Sequence, residues 1–260
     1  MKKKILKTVA VIVSLSLVAV IAFFANAFLG NPISKHLATE TAEKHLARKY
    51  ADTDFEIERV FYDFKDSCYH AFIRSPSSID SHFSLSIDML GRLGTDYYEN
   101  DVLSKWNTSS RINSEYSDKV KAVLNSPAFP YNENIGFGDV EFVPPEFVGD
   151  PNVPYYAINM NELTVDAVYD INEFGARAGN LTIYIDNETV SNERLAEIAL
   201  DIKRIFDEAG IKFYTLDLVL EYPRNEDGTA GKEGVRIMDF LYTDIYKDGL
   251  IERIKANNSY

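Results

Sequence analysis

The pattern of apolar and polar positions divides the chain before any residue is considered for its chemistry. Residues 8–29 carry no charge and are almost wholly apolar, and Lys2, Lys3, Lys4 and Lys7 are the only charges before them. At about 1.5 Å per helical residue such a stretch spans a hydrocarbon core of about 30 Å, so residues 8–29 predict a membrane-crossing helix. Lysines at its start predict a cytoplasmic N-terminus and an extracytoplasmic body. Gly30, Asn31 and Pro32 then stop the helix. Ala25, Asn26 and Ala27 spell the small-x-small pattern that signal peptidase reads, yet the apolar run exceeds the ~7–15 residues of a cleavable signal. Length therefore favours an uncleaved signal anchor over residues 1–30 and a single-pass protein of the cell membrane; the alternative is cleavage near Ala27 and secretion.

Beyond the anchor the periods alternate. Ile33, Leu37, Ala38, Ala42, Leu46 and Tyr50 keep three- and four-residue spacing, which predicts an amphipathic helix with Ser34 as its cap. Strand-like runs follow at 55–64, 68–74 and 82–88, the last alternating Phe83, Leu85 and Ile87 with Ser84, Ser86 and Asp88. Helical spacing returns from Val102 through Trp106, Tyr116 and Val123, predicting one long helix or two short ones between about residues 96 and 124. Residues 31–125 therefore read as a first α+β domain of helix, three strands and helix. Residues 126–137, rich in Pro, Asn and Ser, read as a linker. In the second domain, 138–260, a short helix closes at Gly179 and a buried strand covers 181–186. A helix capped by Ser191 carries the stripe Leu195, Ile198, Ala199, Ile202, Ile205 and Phe206 and ends at Gly210. Strands at 212–223 and 235–245 and a final helix at 247–257 complete it. The fold class expected is α+β: an N-terminal transmembrane helix, then two small α+β domains, the second built on an antiparallel sheet.

Composition sharpens this outline. The 260 residues are 46% hydrophobic, enough to fill two cores, and 27 Lys and Arg against 40 Asp and Glu leave a net charge of −13. With all the leader's charges positive, the body is more acidic still. Such a surface repels nucleic acid, so no nucleic-acid partner is expected. The single cysteine, Cys68, excludes an internal disulfide, and it lies too far from the apolar segment to anchor a lipoprotein.

Few residues offer chemistry. Cys68 and His70 share a strand face, and a hairpin centred on Pro76 would set His82 directly across from His70, gathering a thiol and two imidazoles fit for a metal or thiol chemistry. No carboxylate is fixed beside them by spacing, and the plainer reading is half-buried side chains on a polar sheet face. His36 and His45 stand half a turn out of phase on the first helix and read as solvated. The loop 223–234 superficially follows a calcium loop, but Pro223 and Gly234 fall where ligands are required, so it reads as an Asp-Gly turn. The sequence has no Gly-x-Ser-x-Gly elbow, no His-Glu-x-x-His and no phosphate-binding glycine loop. Tyr97, Tyr98, Trp106, Phe147, Tyr155 and Tyr156 adjoin loops or helix ends, where they either line a groove for a peptide or glycan or seal helix against sheet.

The phrases "NPISKHLA", "SPSSIDSHFS", "KWNTSSR", "LTIYID", "IKRIFDEAG" and "LVLEYPRNEDG" resemble the YfjL-like proteins, a family from Gram-positive bacteria with an N-terminal anchor and two outer domains. The resemblance covers nearly all of residues 30–260. It implies a membrane-anchored cell-surface protein and transfers no catalytic, cofactor or metal residue. The helix and three strands of the first domain also resemble PepSY-type extracytoplasmic modules. The expected function is a non-enzymatic binding or regulatory module of the cell envelope, tethered through residues 8–29 and partnered by an envelope protein or wall component. The alternative is an extracytoplasmic hydrolase or metal-dependent enzyme using Cys68, His70 and His82 or an acidic pair.

Overall fold

A computed structural model describes residues 2–223 and 234–257; the calcium-like loop of the sequence reading therefore lies, but for Pro223 and Gly234, outside the described residues. The chain forms two compact units, residues 1–107 and 108–260.

The first unit opens with helix α1 (Lys2–Leu29), which is long and apolar enough to cross a membrane, as a single-pass anchor requires. Helix α2 (Pro32–Lys49) follows after a two-residue elbow. Its cap is Asn31, not Ser34: the Asn31 side chain accepts from the Ser34 N–H at 2.8 Å, and Pro32 takes the first helical position, where a missing N–H costs nothing. Gly30 adopts φ +67°, and a Cβ there would meet the Tyr69 hydroxyl and the Tyr62 ring. The same two tyrosines hold the elbow. Tyr69 Oη accepts from Asn31 N–H at 2.7 Å and donates to Asn31 C=O at 2.8 Å, while Tyr62 donates to the Ala27 carbonyl at 3.0 Å.

Strands β1 (Glu56–Asp63), β2 (Cys68–Arg74), β3 (His82–Ile87) and β4 (Leu93–Asp96) form an antiparallel meander in chain order. Alternation places Tyr69, Ala71 and Ile73 of β2 and Phe83, Leu85 and Ile87 of β3 inside, where α2 contributes Ala38 and Ala42. The fourth strand was not expected. It is short and carries Gly94, so it shows no alternation to read, and its end at Asp96 overlaps the stretch expected to begin a helix. Helical structure after it comes in two pieces, a π turn at Glu99–Leu103 and helix α3 (Trp106–Leu124), broken where Lys105 takes φ +70°.

The second unit adds β5 (Glu133–Val140), the two-residue parallel pair β6 (Phe142–Val143) and β7 (Ile158–Asn159), α4 (Ile171–Ala178), β8 (Gly179–Asp186), α5 (Asn192–Glu208), β9 (Thr215–Glu221), β10 (Val235–Leu241) and α6 (Leu250–Asn257). The main sheet runs β10-β9-β8-β5. Two of its pairings are antiparallel; the central one, β8 with β9, is parallel, and α5 makes the crossover that a parallel pair needs. Ser191 caps α5 as expected, accepting from Arg194 N–H at 3.2 Å, and Gly210 follows it at φ +71°. The core gathers Leu181, Ile183 and Ile185 of β8, Leu216, Leu218 and Leu220 of β9 and the α5 stripe through Phe206. Each buried leucine or isoleucine contributes roughly 1.5–3 kcal/mol of transfer free energy.

Two expectations about boundaries change here. Ile112, Tyr116 and Val120 of α3 lie in the core of the second unit, although the helix was assigned to the first domain. Residues 126–137, read as a linker, contain the start of β5. The reason is steric: Val120, Tyr116 and Leu124 press against Gly136 and Gly138, so the core-facing positions of β5 hold glycine and leave no apolar period to detect.

The outer edge of the sheet is irregular. Strand β10 slips register between Ile237 and Phe240, with Asp239 at φ +49°. There the side-chain amide of Asn257 in α6 accepts from Met238 N–H at 3.0 Å and donates to Met238 C=O at 2.9 Å.

Candidate functional site

The hairpin that was to gather Cys68, His70 and His82 has a different register. His70 pairs with Ser86 and His82 with Arg74, so the turn centres on Ser78 and the two histidines stand four residues apart along the sheet, roughly 13 Å. They share a face but not a site. His82 lies against Phe72. His70 instead meets Asp66 Oδ2 at 2.7 Å, a carboxylate the sequence reading did not place, because the tight β1–β2 turn folds it back over the strand. Asp63, Asp66 and His70 each offer a ligand atom within 4.8 Å of the others. These atoms are largely engaged: Asp66 Oδ1 accepts from Cys68 N–H and Asp63 Oδ1 from Lys65 N–H. Burial raises the Asp66 carboxyl, and the His70 and Cys68 hydrogen bonds outweigh it, leaving it below the ordinary carboxylate range. This is the chemistry of a locked turn.

His45, expected to be solvated, is buried. Its Nε2 lies 2.8 Å from Asp96 Oδ2, which also accepts from Lys49 Nζ at 2.7 Å and Tyr50 Oη at 2.9 Å. Asp96 Oδ1 accepts from Tyr98 N–H. Burial works against this carboxylate, but Lys49, His45, Tyr98 N–H and Tyr50 together hold it at about 2. Tyr50, Phe55, Phe83 and Tyr98 pack ring to ring beside it, so Tyr98 seals a core and lines no groove. Tyr97 is half-buried, while Trp106 and Phe147 are exposed.

Tyr155 and Tyr156 behave otherwise. They line a cavity of about 920 Å³ in the second unit, walled by the loop 148–157 and closed by Val143, Asp239 and Leu241. Pro151 and Pro154 stiffen this loop, and Asp150 ties it by accepting from Asn152 N–H and Nδ2. Tyr155 is 80% exposed, and its hydroxyl lies 3.1 Å from that of Tyr214. Tyr156 packs on the Tyr214 ring at 4.8 Å and donates to Asp239 Oδ1 at 3.2 Å. Burial, with Asp239 and Glu141 nearby, pushes the Tyr156 phenol up to about 12 despite the opposing Thr215 hydrogen bond.

Behind the tyrosines the sheet face turned away from the core carries carboxyl groups. Asp139 of β5 pairs with Asn180 of β8, and Asp217 of β9 accepts from Asn180 Nδ2 at 3.2 Å and from Asp239 N–H at 2.6 Å. Glu141 follows β5. Burial raises the carboxyls of Asp139, Glu141 and Asp217 above the ordinary range, and Asp139, Asp239 and Asp217 raise Glu141 further. Among the described residues no ion pair reaches Asp139, Glu141, Asp217 or Asp239, and Asn180 Oδ1 is buried without a partner. No spacing in the sequence links these four, because strand order rather than chain order brings them together. The detectable signal was the Tyr155-Tyr156 pair in a proline-rich loop.

The molecule is thus a two-unit α+β protein with a long apolar leading helix and, in its second unit, a tyrosine-lined cavity bordered by acids. It belongs to the YfjL-like family: residues 2–94 match the YfjL-like N-terminal domain and residues 115–255 the YfjL-like C-terminal domain. No curated protein and no solved structure matches it.

Proposed function

We propose that this chain is a non-catalytic binding module of the cell envelope, held in the membrane by α1 with both units on the outer side, and that its second unit receives a basic peptide segment of an envelope protein. The observation that carries this reading is the cavity walled by residues 148–157 and lined by Tyr155, Tyr156 and Asp239, where Tyr156 donates to Asp239, Asp239 N–H donates to Asp217, Glu141 lies near enough to act on the Tyr156 phenol, and no cation among the described residues pairs with these acids. Ring faces attract ammonium and guanidinium groups, and an arriving cation relieves the repulsion among buried carboxylates. Two of the four histidines are held by carboxylates, His45 by Asp96 and His70 by Asp66.

Retention of the leader is part of the reading. The Ala27 carbonyl sits within α1 and is bound by Tyr62, and Asn26 Oδ1 accepts from Asn31 Nδ2 at 2.7 Å, so the folded body grips the segment that a peptidase must draw out as an extended strand. N-terminal analysis of the membrane fraction should find Phe28 still joined to Ala27. External protease on wall-stripped cells should digest the body, and a body protected until lysis would overturn the orientation.

The binding test uses the full chain in nanodiscs and fluorescent peptides that are lysine- and arginine-rich, neutral or acidic. Anisotropy should report binding of the basic peptides alone, weakened by salt and by Tyr156→Ala or Glu141→Gln. Equal binding of all three classes, or binding untouched by both substitutions, would refute the assignment.

A further inference from the structure

From the way the first unit grips its anchor, we infer a second membrane contact: the β1–β2 turn, residues 63–68, lies on the bilayer surface with the Phe64 ring inserted beside Phe28. The inference rests on the reading of α1 as a spanning helix. Counted from Thr8 at about 1.5 Å per residue, a ~30 Å hydrocarbon core ends near Ala27. Phe28 and Leu29 are therefore at the outer boundary. Phe64 lies at the same level, its ring centroid 6.1 Å from that of Phe28, and Phe28 in turn stacks on Phe24 within the span. Phe64 is 54% exposed, and Leu29 and Ile33 are exposed beside the same elbow.

This placement is fixed. Gly30, Tyr69, Asn31 and the Tyr62 bond to Ala27 join α1 to β1 and β2 on both sides of the elbow, so the turn cannot swing away without breaking that set of contacts. An apolar ring at this depth exchanges water for the acyl boundary, where Trp, Phe and Leu side chains of surface-lying segments insert. Lys65 stands next to Phe64, with a stem long enough to put its ammonium among lipid phosphates. The neighbouring carboxylates, Asp63 and Asp66, are already supplied with hydrogen bonds from Lys65 N–H, Cys68 N–H and His70, and at headgroup level they keep access to water. The occupant of this apolar patch is the bilayer that the anchor itself crosses.

The test is tryptophan quenching by brominated lipids, using the full chain in vesicles of neutral phosphatidylcholine. The one native tryptophan is removed by Trp106→Phe, and single tryptophans are placed by Phe64→Trp at the turn, Ile12→Trp in the anchor and Ile79→Trp on the exposed turn at the opposite end of β2. Bromines near the headgroup should quench the residue-64 reporter strongly and the residue-79 reporter little; bromines midway along the acyl chains should quench the residue-12 reporter, which lies about 6 Å inside the core at ~1.5 Å per residue. Quenching at 12 without quenching at 64 would leave the anchor in place and overturn the surface contact. Equal quenching at 64 and 79 would also overturn it, because the unit would then lack a fixed side toward the lipid. No quenching at 12 would remove the anchor reading and this inference with it.

Discussion

Asp96→Asn tests how much one buried carboxylate holds together in the first unit. The substitution keeps the shape but removes the charge that Lys49, His45, Tyr50 and Tyr98 N–H converge on. Holding the Asp96 carboxyl at about 2 against an ordinary 3.8 corresponds to about 2 kcal/mol at neutral pH, taking ~1.4 kcal/mol per pH unit. The side chain is 12% exposed, so solvent screening removes little of this. A depressed carboxyl stabilises the fold fully above its unfolded value and gives that stability up as pH falls toward the folded one. The contribution should therefore be intact at pH 5 and above, and fade between about pH 4 and 2. Because the chain has two units, a single melting curve mixes their responses, and hydrogen exchange read by peptide mass spectrometry separates them. At pH 7 the variant should exchange the amides of β1 to β4 about 30-fold faster, with β5 to β10 unchanged. Acid should narrow the difference between variant and wild type. Exchange in β1 to β4 within about threefold of wild type, or a difference that persists undiminished at acid pH, would refute the role given to Asp96.

Other outcomes follow from single contacts. Tyr116→Phe deletes the hydroxyl that donates to Lys212 C=O at 3.0 Å from a fully buried ring, and should cost about 1 kcal/mol, seen as faster exchange confined to the second unit. Phe206→Ala opens the core under the α5 stripe and should cost roughly 3–5 kcal/mol, measured by urea unfolding. Glu141→Gln should stabilise the second unit at pH 7 while weakening basic-peptide binding: a carboxyl raised in the fold favours folding only when protonated, and its ionisation works against the fold as pH rises. Loss of stability in Glu141→Gln at neutral pH would show that the acid is structurally paired after all.

Where side chains repeat, the sequence spoke clearly. The apolar leader, the α5 stripe with Ser191 before it and Gly210 after it, and the alternation in β3 each produce a period that one element alone can satisfy. What stayed hidden was set by contact between distant segments. Gly136 and Gly138 erase the apolar period of β5 because α3 lies against them, and β4 is too short for any period. The histidine pairing failed because a hairpin's register depends on its turn, and here the turn centres two residues beyond the proline that seemed to mark it. The acid group at the cavity was invisible for another reason: Asp139, Asp217 and Asp239 are neighbours only because β5 and β10 flank a parallel pair.

The treatment of β10 bears on how copies of the chain meet, and most of all where the proposed anchor would confine them to the two dimensions of a membrane. Crowding raises the chance that exposed strand edges on neighbouring molecules will zip together into aggregates. The register slip at Asp239 bends the rim out of true, and the amide of Asn257 stands in for a missing strand by answering both polar groups of Met238. A would-be adhering chain meets a rim already plugged at its midpoint. Asparagine at the last turn of α6 thus keeps this edge of the sheet from becoming a template.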